Sequence, residues 1–281
     1  MALSFAGSNS RVVLGSLDAL SGASQLSIAG WVRLNDVNAD AVIAIRGAAV
    51  SATSPWSLWR DDVGYTTGRI NTLAVLVNTD VGPLRVEGSN NLLNTAGVWC
   101  HVAMVFEAGV SQGLRIYVNG TKDAYVQSTV GHSQLVANTD DATLGIDAAT
   151  GWFDGSMAEM SLWDKALTDA HVARLAAGLS PLSLATEGVW PVLYQDLVRG
   201  LNRPGIGPTV TSIGSFATAA HPRVIGPRSA VTLCRSMPAS SAVAPYRCKV
   251  ATINTDGSQA AACFLPGVLA GATSPIGEVF N

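Results

Sequence analysis

The chain has 281 residues, of which 48% are hydrophobic and 13% are charged, and its formal net charge at pH 7 is −3. Roughly 25% of residues are charged in an average soluble domain, so either partner subunits cover much of this surface or neutral Ser, Thr, Asn and Gly residues dominate it. The absence of a basic run excludes nucleic acid as a partner, and the longest apolar stretches, such as residues 260–272, are shorter than the ~20 residues of a membrane helix.

Residues 1–180 have the pattern of one all-β unit. Short apolar runs alternate with clusters of Gly, Asn, Asp and Ser at the spacing of a β-sandwich. Leu26, Ile28, Val32 and Leu34, for example, share one face of a strand. The predicted strands are residues 2–5, 11–14, 25–34, 41–46, 56–60, 70–78, 84–87, 98–106, 113–119, 142–146 and 156–163.

Residues 97–124 are the most regular part of this pattern. Both alternating sets of the strand 98–106 are mostly apolar, so we expect protein to cover both of its faces. The two sets are Trp99, His101, Ala103 and Val105 on one face, and Cys100, Val102, Met104 and Phe106 on the other. Asn119-Gly120 then predicts a type I′ hairpin, because that turn needs positive φ at both central residues. A further strand begins after it.

One short helix is predicted after the strand that ends at Trp163. Thr168 suits the N-cap, and the carboxylate of Asp169 suits the first turn, where it faces the positive end of the helix dipole. The helix ends at Gly178. Its apolar face consists of Val172, Leu175 and Leu179.

Three motifs in this order resemble the laminin G-like members of the concanavalin A-like fold. They are L-S-F-x-G-x-N-S-x-V at the start, W-x-H-V-A followed by Y-V-N-G in the middle, and F-D-G with E-x-S-L-W and A-L-T within residues 153–168. The resemblance covers about residues 2–180 and implies a β-sandwich jelly roll with one short helix. Ala158 departs from the pattern, since many relatives carry Asp there, so no polar role is transferred to it. Lectins, glycosidases, adhesion modules and virion proteins share this fold, so it does not determine the function.

The amino-acid composition of the chain changes after Pro181. Residues 184–198 fit either an added strand or a pinned arm. Residues 181–228 are rich in Gly and Pro and are interpreted as an irregular arm or linker. Residues 229–281 contain short strand-like pieces at 230–234, 246–253 and 260–265, and are interpreted as a small β-rich extension.

The N-terminus and the cysteines bear on the compartment. The first residues contain no charged segment followed by an apolar one, which argues against a signal peptide. Cys100, Cys234, Cys248 and Cys263 include no C-x-x-C pair, so a zinc site has no support. The last three are spaced for a disulfide, but without signs of export we favour free, partly buried thiols.

Catalytic chemistry finds little support in the sequence. A glycosidase needs two carboxylates, and Glu159 has no carboxylate partner on its own strand face. We therefore expect Glu159 to hydrogen-bond a loop, and His101, within a buried strand pattern, to be a core histidine. His132, His171 and His221 are isolated, and no Ser/His/Asp order is visible. The chain is therefore predicted not to be an enzyme.

Two kinds of candidate binding residue stand out in the predicted loops and in the strands beside them. Calcium, which prefers six or more oxygen ligands, has candidates at Asn78-Thr79-Asp80, at residues 138–141 and at Asp147, although the same residues also build turns. No cofactor is otherwise indicated. Aromatic side chains that stack on sugars or on a partner protein have candidates at Trp56, Trp59 and Trp152.

The low charge, the missing signal peptide and the arm together favour a structural virion protein. The specific hypothesis is a bacteriophage capsid decoration (cement) protein, or another head- or tail-associated protein, that forms a homo-oligomer on the major capsid protein. The last motif and the Gly-x-[ST]-Pro-Leu passage also resemble single-domain phage-encoded relatives. The alternative is a lectin-like adhesion module that binds cell-surface glycans.

Overall fold

The computed structural model describes residues 2–8, 10–47, 50, 54–64, 67–147, 151–197, 206–208, 210–222 and 224, and the backbone of residues 248–253, 259–264 and 279–280. The chain divides into two compact units, Met1–Ile225 and Gly226–Asn281. No helix in the described residues is long and apolar enough to cross a membrane.

The first unit consists mainly of antiparallel strands. The helical segments among its described residues are α1 (Asp169–Ala176) and two short 3₁₀ helices, Asp18–Leu20 and Pro181–Glu187. Its strands are β1 (Ala2–Ala6), β2 (Arg11–Gly15), β3 (Gln25–Leu34), β4 (Ala41–Arg46), β5 (Trp56–Asp61), β6 (Thr72–Asn78), β7 (Pro83–Glu87), β8 (Trp99–Glu107), β9 (Leu114–Val118), β10 (Thr121–Gln127), β11 (Ala142–Leu144), β12 (Ile146–Asp147), β13 (Gly151–Trp152), β14 (Asp154–Trp163), β15 (Leu193–Gln195), β16 (Thr211–Ile213) and β17 (Phe216–Ala219).

Two sheets form a sandwich. The first has the order β10-β9-β8-β3-β14-β1-β17, with β15 also paired to β14, and the second has the order β16-β2-β11-β4-β5-β6-β7. One apolar core contains residues of both sheets, among them Phe5, Leu14, Ile28, Trp56 and Phe106. Alternation along each strand sends every second side chain into this core. The predicted all-β sandwich is confirmed.

The outer face of the first sheet is also covered. Ala103, Val105 and Trp163 pack against Val172 and Leu175 of α1. The side chain of Thr168 accepts a hydrogen bond from the amide of His171, as a helix N-cap does. Because α1 covers this face, β8 is apolar on both sides, as the sequence predicts.

The β9–β10 hairpin has the predicted turn. Asn119 and Gly120 have φ values of 50° and 81°, and Val118 pairs with Thr121. The side chain of Asn119 accepts a hydrogen bond from the amide of His101 at 2.9 Å, which ties the turn to the neighbouring strand. Strand β10 carries little apolar signal because most of its residues are exposed at the edge of the sheet.

The added strand that was one of the two possibilities for residues 184–198 is present as β15, but the interpretation of residues 181–228 as irregular needs a correction. Three strands from this segment extend the sandwich: β15 pairs with β14, β16 with β2 and β17 with β1. The ring of Phe216 packs edge-on against Phe5, with centroids 5.2 Å apart. Short strands that pair along an existing edge need no long periodic run, so their signal is weak in sequence.

The second unit contains a three-stranded antiparallel sheet. Strand β18 (Cys248–Ile253) pairs with β19 (Gln259–Phe264), which pairs with β20 (Val279–Phe280). The side chains of Cys234, Cys248 and Cys263 lie outside the described residues, so their predicted redox state stays a prediction. Cys100 is a free thiol, and burial raises its pKa.

Candidate functional site

A groove of about 340 Å³ lies at one end of the sandwich. The end of β1, the β3–β4 loop, the hairpin of β12 and β13, and the first residue of β14 build its walls. The lining residues are Ala6, Gly7, Asp36, Ala39, Asp40, Ala41, Gly151, Trp152 and Asp154. Loops at the end of a rigid sandwich commonly carry binding residues.

Trp152 provides the aromatic surface of the groove. Its residue is 37% exposed, and its backbone is held by pairing with Ile146. The adjacent Gly151 lets this hairpin approach the β3–β4 loop, because a Cβ atom there would lie 3.0 Å from the carbonyl oxygen of Asp40. The ring is thus presented on a short, closely packed hairpin.

Two carboxylates of the groove are oriented by neighbouring amides. Asp36 accepts hydrogen bonds from the backbone and side-chain amides of Asn38, at 2.9 and 2.8 Å, and these bonds lower its pKa. Asp154 accepts one from the side-chain amide of Asn35 at 2.8 Å. Amide hydrogen bonds therefore hold one oxygen of each carboxylate in a fixed position.

Asp40 is the half-buried carboxylate of the groove. Burial, with the charges of Asp62 and Asp61 adding to it, raises its pKa to about 6 although its carboxylate accepts a hydrogen bond from the amide of Asp62. Ligand oxygens of Asp40, Asp61 and Asp62 lie within 4.8 Å of one another. This is a donor set that a hard cation accepts. Asp61, however, already pairs with Arg85 at 3.1 Å.

The loops predicted to hold calcium use their oxygens for turns. Asp80 accepts a hydrogen bond from the amide of Ser133 at 3.0 Å, and Asp140 accepts one from the side chain of Asn138 at 2.9 Å. The guanidinium of Arg46 donates to the carbonyl oxygens of Asn138 and Asp140, so a protein cation occupies that position. The side chain of Asp147 lies outside the described residues.

The three tryptophans singled out from the sequence lie in different environments. Trp56 is fully buried in the core, and Trp59 is 5% exposed beneath the guanidinium of Arg85. The expectation that Trp56 and Trp59 offer contact surfaces therefore needs correction, because tertiary packing covers both rings. Of the three, Trp152 keeps an exposed ring, and its role as a contact stays a prediction.

Glu159 holds the C-terminal part of the first unit. It adopts φ of 54° at a bulge of β14, and it is 6% exposed. Its carboxylate accepts a hydrogen bond from the hydroxyl of Tyr194 at 2.8 Å and lies 3.2 Å from Nε2 of His221. Its predicted structural role fits these contacts. His101 is buried, as predicted, and burial lowers its pKa to about 3, which keeps it neutral.

The sequence points to only part of the groove. Trp152 was singled out, but Asp36, Asp40 and Asp154 were not, because acidic residues in loops usually serve turns. The signals that single them out are the Asn/Asp-rich segment directly after β3 and the F-D-G motif at the start of β14. Neither signal shows that the two segments meet.

The fold and the groove at its loop end define a lectin-like β-sandwich. The chain belongs to the concanavalin A-like lectin/glucanases superfamily, whose sequence model matches residues 6–173. No curated protein sequence matches the chain.

Three solved structures resemble part of this chain, and the first of them supports the same fold. A putative carbohydrate binding protein from Bacteroides ovatus superposes with a TM-score of 0.56 and 16% identity, over 77% of this chain and 60% of that protein. A SAP-like pentraxin from Limulus polyphemus gives 0.45 and 19%, over 62% and 80% of the two chains. The CBM40 of a Ruminococcus gnavus sialidase, bound to α2,3-sialyllactose, gives 0.44 and 14%, over 62% and 96%.

Proposed function

We propose that this protein is a non-enzymatic carbohydrate-binding module and that the groove beside Trp152 holds the sugar. The exposed ring of Trp152 among three carboxylates is the observation that supports this proposal. An indole stacks on the apolar face of a pyranose, and carboxylates accept hydrogen bonds from its hydroxyls. Small-molecule sites typically combine an apolar surface with a few convergent polar groups in this way.

The charge of the groove favours a neutral or amino sugar. Asp36 and Asp154 are exposed or half-exposed carboxylates, and Asp40 gains a negative charge above pH 6. An acidic sugar placed here would meet like charges, which lowers its affinity. An ammonium group on the sugar would instead pair with these carboxylates.

A glycan array tests this proposal, with the full chain in calcium and in a chelator. We expect selective binding of neutral or amino sugars that is lost in Trp152→Ala and largely kept in Trp152→Phe. Trp190→Ala is the matched control, because Trp190 is 47% exposed but does not line the groove. Equal binding by Trp152→Ala and the unaltered chain would refute the assignment of the groove. Dependence on calcium would assign a cation to the same function.

The virion role inferred from composition stays a hypothesis. The described structure and the comparisons provide no observation in its favour. A single chain gives no test of whether capsid subunits cover its surface. Fixed stoichiometry in purified phage particles would support that role, and absence from such particles would contradict it.

A further inference from the structure

A second groove, of about 280 Å³, lies where the open edges of the two sheets approach each other. Strand β7 is the edge of the second sheet, and β10 is the edge of the first. The residues that matter for its chemistry are Thr67, Arg69, Arg85, Glu87, Tyr125 and Gln127. This groove is distinct from that of Trp152, since the two share no lining residue.

Arg69 is held in a fixed plane within this groove. Its Nε donates a hydrogen bond to the carbonyl oxygen of Glu87 at 3.1 Å, and its guanidinium lies 3.8 Å from the centre of the Tyr125 ring. Stacking on an aromatic ring pre-organises the planar guanidinium. Among the described residues, none accepts a hydrogen bond from the two terminal nitrogens of Arg69. These two N–H edges are therefore left for a ligand.

The other charges of the groove are balanced by protein partners. Arg85 pairs with Asp61 at 3.1 Å and with Glu87 at 2.8 Å. Glu87 also accepts a hydrogen bond from the amide of Thr67 at 3.0 Å. Arg69 is therefore the arginine of this groove whose positive charge pairs with no carboxylate of the described residues.

The acid on the same strand as Tyr125 does not pair with Arg69 either. Asp123 is two residues from Tyr125, and its carboxylate accepts hydrogen bonds from the amides of Ser89 and Tyr125 at 3.1 and 2.8 Å. It orders the backbone beneath the ring. The Tyr125 residue remains 45% exposed, so an apolar surface lies next to the cationic fork.

We propose that the Arg69–Tyr125 groove binds an acidic sugar through its carboxylate. The guanidinium accepts a carboxylate as a bidentate pair, the exposed part of Tyr125 contacts the sugar ring, and Gln127 offers an amide to its hydroxyls. The site goes beyond the proposed function, because the carboxylates around Trp152 repel the sugar that Arg69 attracts. The chain then has two sites of opposite charge preference.

Titration calorimetry with a galacturonic acid tetramer tests this proposal, and the methyl-esterified tetramer is the matched neutral probe. At 50 mM salt we expect the acid to bind at least tenfold more tightly than its ester, with a preference that weakens as salt screens the charges. Arg69→Gln removes at least tenfold of the affinity, and Arg69→Lys, which keeps the charge but not the fork, removes less. Arg33→Gln is the matched control, since Arg33 also donates its Nε to a backbone carbonyl but lies outside the groove.

Several outcomes would overturn the proposal. Equal affinities for acid and ester, no binding of the acid, or an Arg69→Gln variant that is folded by circular dichroism and binds unchanged would each do so. Displacement of the acid by an equal concentration of inorganic sulfate would show a general anion site and overturn the sugar assignment. If Trp152→Ala binds the acid as the unaltered chain does, the acid has a site separate from the Trp152 groove, whatever the outcome for neutral sugars. Loss of acid binding in Trp152→Ala would contradict a separate site.

Discussion

Arg60→Met is expected to destabilise the β3–β4 loop, which forms one wall of the Trp152 groove. Arg60 is fully buried, and its guanidinium donates hydrogen bonds to the carbonyl oxygens of Val37, Ala39 and Leu93 and to the side chain of Asn71. Val37 and Ala39 lie between the groove residues Asp36 and Asp40. One buried cation on β5 thus holds the β3–β4 loop.

The magnitude follows from the four acceptors that this substitution leaves without a donor. A buried acceptor that loses its partner costs about 1–3 kcal/mol. Carbonyl groups in a loop partly relax toward water, so we take about 1 kcal/mol for each, or about 4 kcal/mol in total. Methionine preserves most of the apolar stem, which limits the cavity term. The loss is a large fraction of a typical stability of about 5–15 kcal/mol.

Urea unfolding followed by tryptophan fluorescence measures this change, and sugar binding is titrated on the still folded protein. We expect Arg60→Met to lower both the free energy of unfolding and the affinity of the Trp152 groove. Arg33→Met is the control, because Arg33 makes one hydrogen bond, to Gly97 at 2.8 Å, at the surface; it should stay within about 0.5 kcal/mol of the unaltered chain. A loss below about 1 kcal/mol for Arg60→Met would refute the anchoring role.

Three further predictions concern the cap, the arm and the groove. Thr168→Ala should lower the free energy of unfolding by about 1 kcal/mol, since it removes the N-cap of α1. Thermal unfolding measures this loss, and Thr186→Ala, which leaves this N-cap in place, is the variant to compare it with. Burial lowers the pKa of His221, but its contacts with Glu159 and the carbonyl of Pro222 outweigh this effect and raise the pKa. Protonated His221 therefore stabilises the fold fully below about pH 6.5, and this contribution is lost as pH rises through the raised pKa. The free energies of unfolding at about pH 6 and about pH 8.5 should differ less in His221→Gln than in the unaltered chain. Asp40, with its pKa raised to about 6 by burial, stabilises the fold while protonated and loses this contribution as pH rises from about 4 to 6. Asp40→Asn should therefore raise the melting temperature at pH 7 and change it little at pH 4; an equal effect at both values would contradict the shift.

Local chemistry made much of the fold predictable. The turn at Asn119-Gly120 needs positive φ, and the cap at Thr168 needs a side-chain acceptor, so each is specified by the residues on the spot. The alternation along β3 likewise shows which of its side chains enter the core. Such features depend on neighbours a few residues apart, which a sequence displays directly.

The sites could be predicted only in part, because their parts are distant in sequence. Trp56 and Trp152 are equally conspicuous as residues, yet the first is in the core and the second is 37% exposed. Arg69 lies in the loop between β5 and β6, Tyr125 lies on the edge strand β10, and the two side chains meet only in the folded unit. Whether Arg69 can bind an anion depends on which carboxylates are already paired with other cations.

By itself, the sequence determined the all-β class, most strand positions and the capped helix, because backbone conformation and the side-chain period are local properties. Only the tertiary structure decided which aromatic rings stay exposed, which carboxylates gather beside Trp152 and that Arg69 lacks an acidic partner among the described residues. Burial and charge pairing depend on long-range packing of the two sheets, and no stretch of sequence states which strands will be neighbours.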